Sequence, residues 1–326
     1  MGCWVGSRGI GAKAVPSVAL VVAFLAVSIF GAPRTAEAES PSAVNTANTA
    51  VTANTANTAD TANAAGAAHA EPLRVLAAAS LTEVVEALAA RFPDGEILAS
   101  FGASSDLARQ IKDGAPADVF LSASPEWVDF LREANAVDGE PVLVARNALV
   151  CIAPEGSPLA RAAKNAASAS PRVSDPRTLL ARIEAGDEIV AVADAGVPAG
   201  DYARKALAKL GLAEAFEPRF VGQKDVRAVL HAVEQGEVAA GFVYATDARI
   251  ARVETLFVFD PATHPRIEYL AAIVRKTDEP ARAGDATGMR SPSGQAGEAD
   301  PAQRFLVFLK SDAARARLSA AGFVLP

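Results

Sequence analysis

From Leu73 onward, short apolar runs alternate with amphipathic helical stretches, and this alternation restricts the fold more than any other feature of the chain. LRVLAAA reads as a buried strand. LTEVVEALAARF reads as a helix that places Leu81, Val84, Val85 and Leu88 on one face. A turn at Pro93-Asp94-Gly95 leads to the strand EILASF and the helix SSDLARQIKDG, which closes on Gly114. The strand ADVFLSAS and the helix PEWVDFLREANAV follow, with Pro125 in the first helical turn. The rhythm returns at EIVAVADA before DYARKALAKLG, and at RFVGQ before DVRAVLHAVEQG. VAAGFVYA and IEYLAAIVR are later strands, and QRFLVFLKSDAARARLSAAGF supplies the closing helices. Such alternation predicts an α/β fold of parallel sheets covered by helices on both faces. About 255 residues in this pattern fit either a barrel or two doubly wound lobes. Both architectures bind ligands at the carboxyl ends of strands, so function is expected at the strand-to-helix corners.

Residues before Leu73 have a different character. Arg8 and Lys13 precede the apolar run Val18 to Phe30, which is short for a membrane span, and Ala36-Glu37-Ala38 has the small-x-small form of a cleavage site. Residues 1–38 therefore read as a secretory signal, with a membrane tether as the alternative if cleavage does not occur. Residues 39–71 repeat Thr-Ala-Asn with no large apolar side chain to bury, and read as a disordered spacer. A stretch rich in Gly, Pro, Ser and charge, 277–301, reads as a mobile surface insertion.

Charge and residue counts exclude several classes. The net charge of −7 becomes −9 when Arg8, Lys13, Arg34 and Glu37 leave with the signal, so no broad basic footprint for nucleic acid exists. Cys3 and Cys151 cannot build a disulfide framework, and Cys151, within NALVCIAP, reads as a small buried hydrophobe. No phosphate-loop or dinucleotide fingerprint opens a helix, and metal-ligating side chains are not grouped. A serine hydrolase would need a base beside Ser80 or Ser104, and the three histidines, His69, His231 and His264, lie elsewhere in the sequence.

Four corners stand out: Ala77-Ala78-Ala79-Ser80-Leu81, Phe101 to Asp106, Val197-Pro198-Ala199-Gly200, and Lys224-Asp225-Val226-Arg227. Each precedes a helix, whose unpaired N–H groups and positive dipole end favour an anion. Small residues let a ligand approach the backbone, and Ser80 and Ser104 add hydroxyl donors. Asp106, Asp201 and Asp225 lie close to these corners and are expected to point away as helix caps.

These blocks, AAASL, F-x-x-S-S-x-LARQIKDGAPADVFLSAS, VPAGDYARKALAKLG and DVRAVLHAVEQGEVAAGFVY, resemble the periplasmic molybdate-binding proteins of ABC importers, over about Leu73 to Phe323. The resemblance implies a two-lobed periplasmic-binding-protein fold of type II, each lobe a sheet flanked by helices, with a hinge between them. It implies lobe 1 over 72–144 and 274–326, and lobe 2 over 145–273. It implies no enzyme and no cofactor, but a molybdate ligand, with tungstate as a second, delivered to a membrane permease by an exported monomer. The implied ligands are the hydroxyl and backbone N–H of Ser80 and of Ser104, the backbone N–H of Ala199 and of Val226, and the hydroxyl of Tyr244. The metal is met only through the oxygens of the oxyanion. Another small anion such as sulfate is the alternative ligand, and a serine hydrolase the alternative class.

Overall fold

A computed structural model describes residues 71–164, 173–275 and 300–326. The signal, residues 39–70 of the spacer and residues 277–299 of the insertion lie outside the described residues.

The first part of the chain builds β1 (Leu73–Ala78), a single 3₁₀ turn (Ala79–Leu81), α1 (Thr82–Ala89), β2 (Ile97–Gly102), α2 (Ser104–Lys112), β3 (Val119–Ser122), α3 (Pro125–Glu133) and β4 (Val137–Asn147). There follow β5 (Leu149–Pro154), α4 (Pro158–Lys164), α5 (Pro176–Gly186), β6 (Val190–Ala193), α6 (Pro198–Lys209), α7 (Ala213–Phe216), β7 (Phe220–Gln223), α8 (Val226–Glu234), β8 (Ala240–Tyr244) and β9 (Val253–Val258). The last elements are β10 (Ile267–Val274), α9 (Pro301–Leu309) and α10 (Asp312–Ala320).

Two five-stranded sheets result, ordered β2-β1-β3-β10-β4 and β7-β6-β8-β5-β9. They follow one plan. Three parallel strands carry helical crossovers, β1, β2 and β3 in one sheet and β6, β7 and β8 in the other. The fourth position is filled by a strand that has just crossed from the other sheet. β4 leaves the edge of the first sheet and becomes β5 after the single residue Ala148, and β9 leaves the edge of the second and becomes β10.

The parallel sheets expected from the sequence are therefore mixed. β10 runs antiparallel to β3 and β4, and β5 antiparallel to β8 and β9. A strand arriving from across the cleft enters its new sheet at the edge where the parallel strands end, so it must run against them. No helix separates β4 from β5, which is why a strand-helix rhythm does not reveal this pair. β10 also lies in the first sheet, whereas the sequence boundary at 273/274 placed nearly all of it with the second lobe.

The core obeys the two-residue period of strands. Val75, Ala77, Val119, Leu121, Tyr269 and Ala271 face the large core, while Leu76, Phe120, Ala272 and Val274 face a second core under α2 and α3. Val190 to Ala193 and Ala240 to Tyr244 are buried throughout, as strands covered on both faces must be. Cys151 sits inside β5, fully buried, and burial pushes its thiol pKa up, which matches its reading as a small hydrophobe.

Candidate anion site

The corners after β1, β2, β6 and β7 converge on one cavity of about 230 Å³, part of it open to solvent. Ala78, Ala79 and Ser80 line it from the first corner, and Gly102, Ala103 and Ser104 from the second. Val197, Pro198 and Ala199 come from the third, Asp225 and Val226 from the fourth, and Ala123 and Tyr244 from the ends of β3 and β8. All five residues implied by the sequence resemblance, Ser80, Ser104, Ala199, Val226 and Tyr244, line this cavity. No lysine or arginine is among its lining residues.

Three of the corners offer backbone hydrogens for a local reason. α2 begins at Ser104, and its first intrahelical bonds run from Asp106 N and Leu107 N to Ala103 O, so the amides of Ser104 and Ser105 precede the helical ladder. In α6 Pro198 holds the first position and the first bond runs from Asp201 N to Val197 O, which leaves Ala199 N outside the ladder. In α8 Asp225 is the cap and its carboxylate takes Ala228 N at 2.9 Å, not Val226 N.

Gly200 has a packing role. A Cβ there would lie 2.1 Å from the carbonyl oxygen of Ala193, so glycine lets the N-terminus of α6 sit against the end of β6. This close approach is to the strand, rather than to a ligand as expected from sequence.

The side-chain donors have distinct surroundings. Ser80 Oγ lies 2.9 Å from the hydroxyl of Tyr269, and Ser104 Oγ accepts the amide hydrogen of Ala123 at 3.0 Å. Tyr244 is almost fully buried, and its hydroxyl has no hydrogen-bond partner among the described residues. Burial, before any neighbouring charge, pushes its pKa well above the usual phenol range, so it remains a neutral donor.

The three aspartates near the corners are all engaged. Asp106 is half exposed and pairs with Arg109 at 3.1 Å. Asp201 accepts Gly196 N at 2.8 Å, which braces the turn before α6. Asp225 does line the cavity, with Oδ1 turned back to its own helix as the cap.

Arg227, next to Val226, does not line the cavity and reaches across to the first half instead. Its Nε donates to Ala79 O at 3.1 Å and its Nη2 pairs with Glu83. Behind it Asp247, with no exposure, lies 3.1 Å away, a charge contact off the line of a hydrogen bond. Burial raises the Asp247 pKa to about 6, against the opposing pull of Arg227. The sequence reading passed over Tyr269, Asn147, Asp247 and the bridging role of Arg227, because their partners are far away along the chain.

The site thus presents uncharged hydrogen-bond donors, and among the described residues no histidine lines it: His231 and His264 are absent from the lining. Comparisons with known proteins show the family. The chain is 36% identical to the "Molybdate-binding protein ModA" of Haemophilus influenzae over 257 residues, 76% of this chain and 88% of that one. It is 34% identical to the protein of the same name from Escherichia coli over 207 residues, 62% of this chain and 77% of the relative. Among solved structures it is similar to the periplasmic molybdate-binding protein of Azotobacter vinelandii, with a TM-score of 0.59, 22% identity, and coverage of 78% of this chain and 99% of that one. Residues 73–324 match a family of transport proteins, not enzymes, and on that match this chain belongs to the bacterial extracellular solute-binding proteins.

Proposed function

We propose that this chain captures molybdate in the cavity between its two sheets and delivers it to the membrane permease of an ABC importer. The observation that carries this reading is the hydroxyl of Tyr244, buried and without a hydrogen-bond partner among the described residues, in a cavity ringed by four helix starts and lined by no cationic side chain among those residues. Molybdate near neutral pH is a tetrahedral dianion whose oxygens only accept hydrogen bonds, so a site built of donors fits it. Ser80 and Ser104 each offer a hydroxyl and an amide, Ala199 and Val226 an amide, and Tyr244 a hydroxyl. Hydrogen bonds to an ionised acceptor contribute roughly 1.5–3 kcal/mol each, enough together to hold a dianion without a buried counter-charge.

Tungstate has the same shape and charge and binds in the same way. The first lobe is built on β1 to β4 with β10 and the second on β5 to β9, and the two close about the β4–β5 and β9–β10 crossings. Every proposed ligand comes from one chain, which supports action as a monomer, to be checked by light scattering. Residues 1–38 act as the export signal, and N-terminal sequencing of the exported chain locates the cleavage.

Calorimetry with molybdate, tungstate, sulfate and phosphate tests the ligand. The expected order places molybdate and tungstate first. Equal or tighter binding of sulfate would refute the selectivity, and binding of none of the four would refute the class.

A further inference from the structure

Ser80 is a useful donor only if its single proton points into the cavity. A hydroxyl both donates and accepts, and its direction is set by its other neighbours. Behind Ser80 lies a chain of polar groups on the two crossing strands. Asn147, the last residue of β4, receives the amide hydrogen of Ala148 on its Oδ1 at 2.9 Å. That contact turns its Nδ2 toward the hydroxyl of Tyr269 at 3.3 Å and Thr246 Oγ1 at 2.9 Å. Nδ2 has only hydrogens to give, so the Tyr269 oxygen is an acceptor there. Tyr269, on β10, is almost fully buried, and Ser80 Oγ is the one further hydrogen-bond partner of its hydroxyl among the described residues, at 2.9 Å. The phenolic proton therefore goes to Ser80, and the Ser80 proton is left for the cavity.

We propose that Tyr269, oriented by Asn147, is a positioning residue that aims the hydroxyl of Ser80 as a donor and occupies one of the two lone pairs with which it could accept a hydrogen bond from the bound anion. The relay runs from the Asn147 amide to the Tyr269 hydroxyl, to the Ser80 hydroxyl, to the ligand. Each donor in such a row polarises the next, so the last one is a stronger donor than a free serine. A protonated oxyanion such as hydrogen phosphate must place a proton on some acceptor, and this position offers it one lone pair fewer than a free serine would. The amide of Ala123 does the same for Ser104 from the backbone. Tyr269 does not line the cavity, so it acts through Ser80 and not by touching the ligand.

This inference rests on the anion-binding reading above, and the experiment separates the two. Molybdate affinity is measured by calorimetry at pH 8 for the wild type, Tyr269→Phe, Ser80→Ala and the double variant, with phosphate displacement of molybdate as a second readout. Tyr269→Phe is expected to weaken molybdate about 10-fold in the wild-type background and less than about 2-fold beside Ser80→Ala, because its effect passes through that hydroxyl. Phosphate is expected to displace molybdate from Tyr269→Phe at about a 10-fold smaller excess than from the wild type, since a freed Ser80 has both lone pairs with which to accept. Thermal unfolding without ligand confirms that each variant is folded. Equal losses in the two backgrounds, no loss in either, or an unchanged phosphate excess overturns the relay while leaving the molybdate reading intact. A wild type that binds no oxyanion overturns both.

Discussion

The two halves share one sheet plan, yet they supply the cavity with different kinds of donor. In the first, the corners after β1 and β2 each add a serine hydroxyl, and each hydroxyl is held from behind by an inner donor, Tyr269 for Ser80 and Ala123 N for Ser104. In the second, the equivalent corners after β6 and β7 offer the amides of Ala199 and Val226, with Tyr244 as the one side-chain hydroxyl. A backbone donor is placed by its helix and is indifferent to the side chain it belongs to. A serine hydroxyl has to be aimed, and Ser80 and Ser104 each have a buried polar neighbour that does so. The two halves should therefore respond to mutation in different ways.

The most severe test separates the halves altogether. Arg227 ties α8 to the turn after β1 and faces the buried Asp247, so Arg227→Met leaves an unpaired carboxylate inside the protein. A loss of about 3 kcal/mol in unfolding free energy is expected at pH 8, measured with denaturant. The loss should shrink at pH 5. Burial holds the Asp247 pKa up at about 6, so the folded chain binds this proton more tightly than the unfolded chain does. The stability contributed by this group is present in acid and is lost as pH rises through about 6.

Ser80→Ala and Ser104→Ala each remove an aimed donor from the first half. A 10- to 100-fold weaker molybdate affinity is expected for each, about 1.5–3 kcal/mol, with calorimetry as the measurement. An equal loss from side-chain changes at Ala199 or Val226 would break the contrast between the halves.

Gly200→Ala attacks the second half through its frame. The added methyl meets the Ala193 carbonyl, so α6 must shift away from β6. Unfolding is expected to show about 1–3 kcal/mol of destabilisation, with weaker binding because Ala199 N moves along with the helix. Tyr244→Phe is subtler. Affinity should fall about 10-fold, while the stability of the ligand-free chain stays level or rises, since the lost hydroxyl had no protein partner. Val226→Ala is expected to change affinity less than about 2-fold, because its amide stays where α8 puts it. That near-silence is as diagnostic as the large losses.

Much of this site was legible along the chain. Each of the four corners joins a strand signal to a helix signal within a few residues, and small residues with Ser80 or Ser104 mark where a ligand would sit. The corners that hold Ala199 and Val226 were legible as helix starts, which are local features, but the two residues themselves were selected by family resemblance. Tyr244 had no such marker, since a tyrosine at a strand end reads equally well as packing, and only family resemblance selected it. β10 was read as a strand in IEYLAAIVR, but its antiparallel direction, and β5 as a strand at all, escaped the alternating pattern because no helix leads into them.

Local spacing alone determined the strand-helix rhythm, the corners and the absence of cations other than Lys224 and Arg227 at them. Tertiary structure decided the remainder: that the corners face one another, that Arg227 turns from the cavity to Ala79 and Asp247, and that Asn147 and Tyr269 stand behind Ser80. The physical reason is reach. A helix start is made by residues adjacent in sequence, whereas the Ser80–Tyr269 contact joins groups 189 residues apart, and only chain crossing between the sheets brings them within a hydrogen bond.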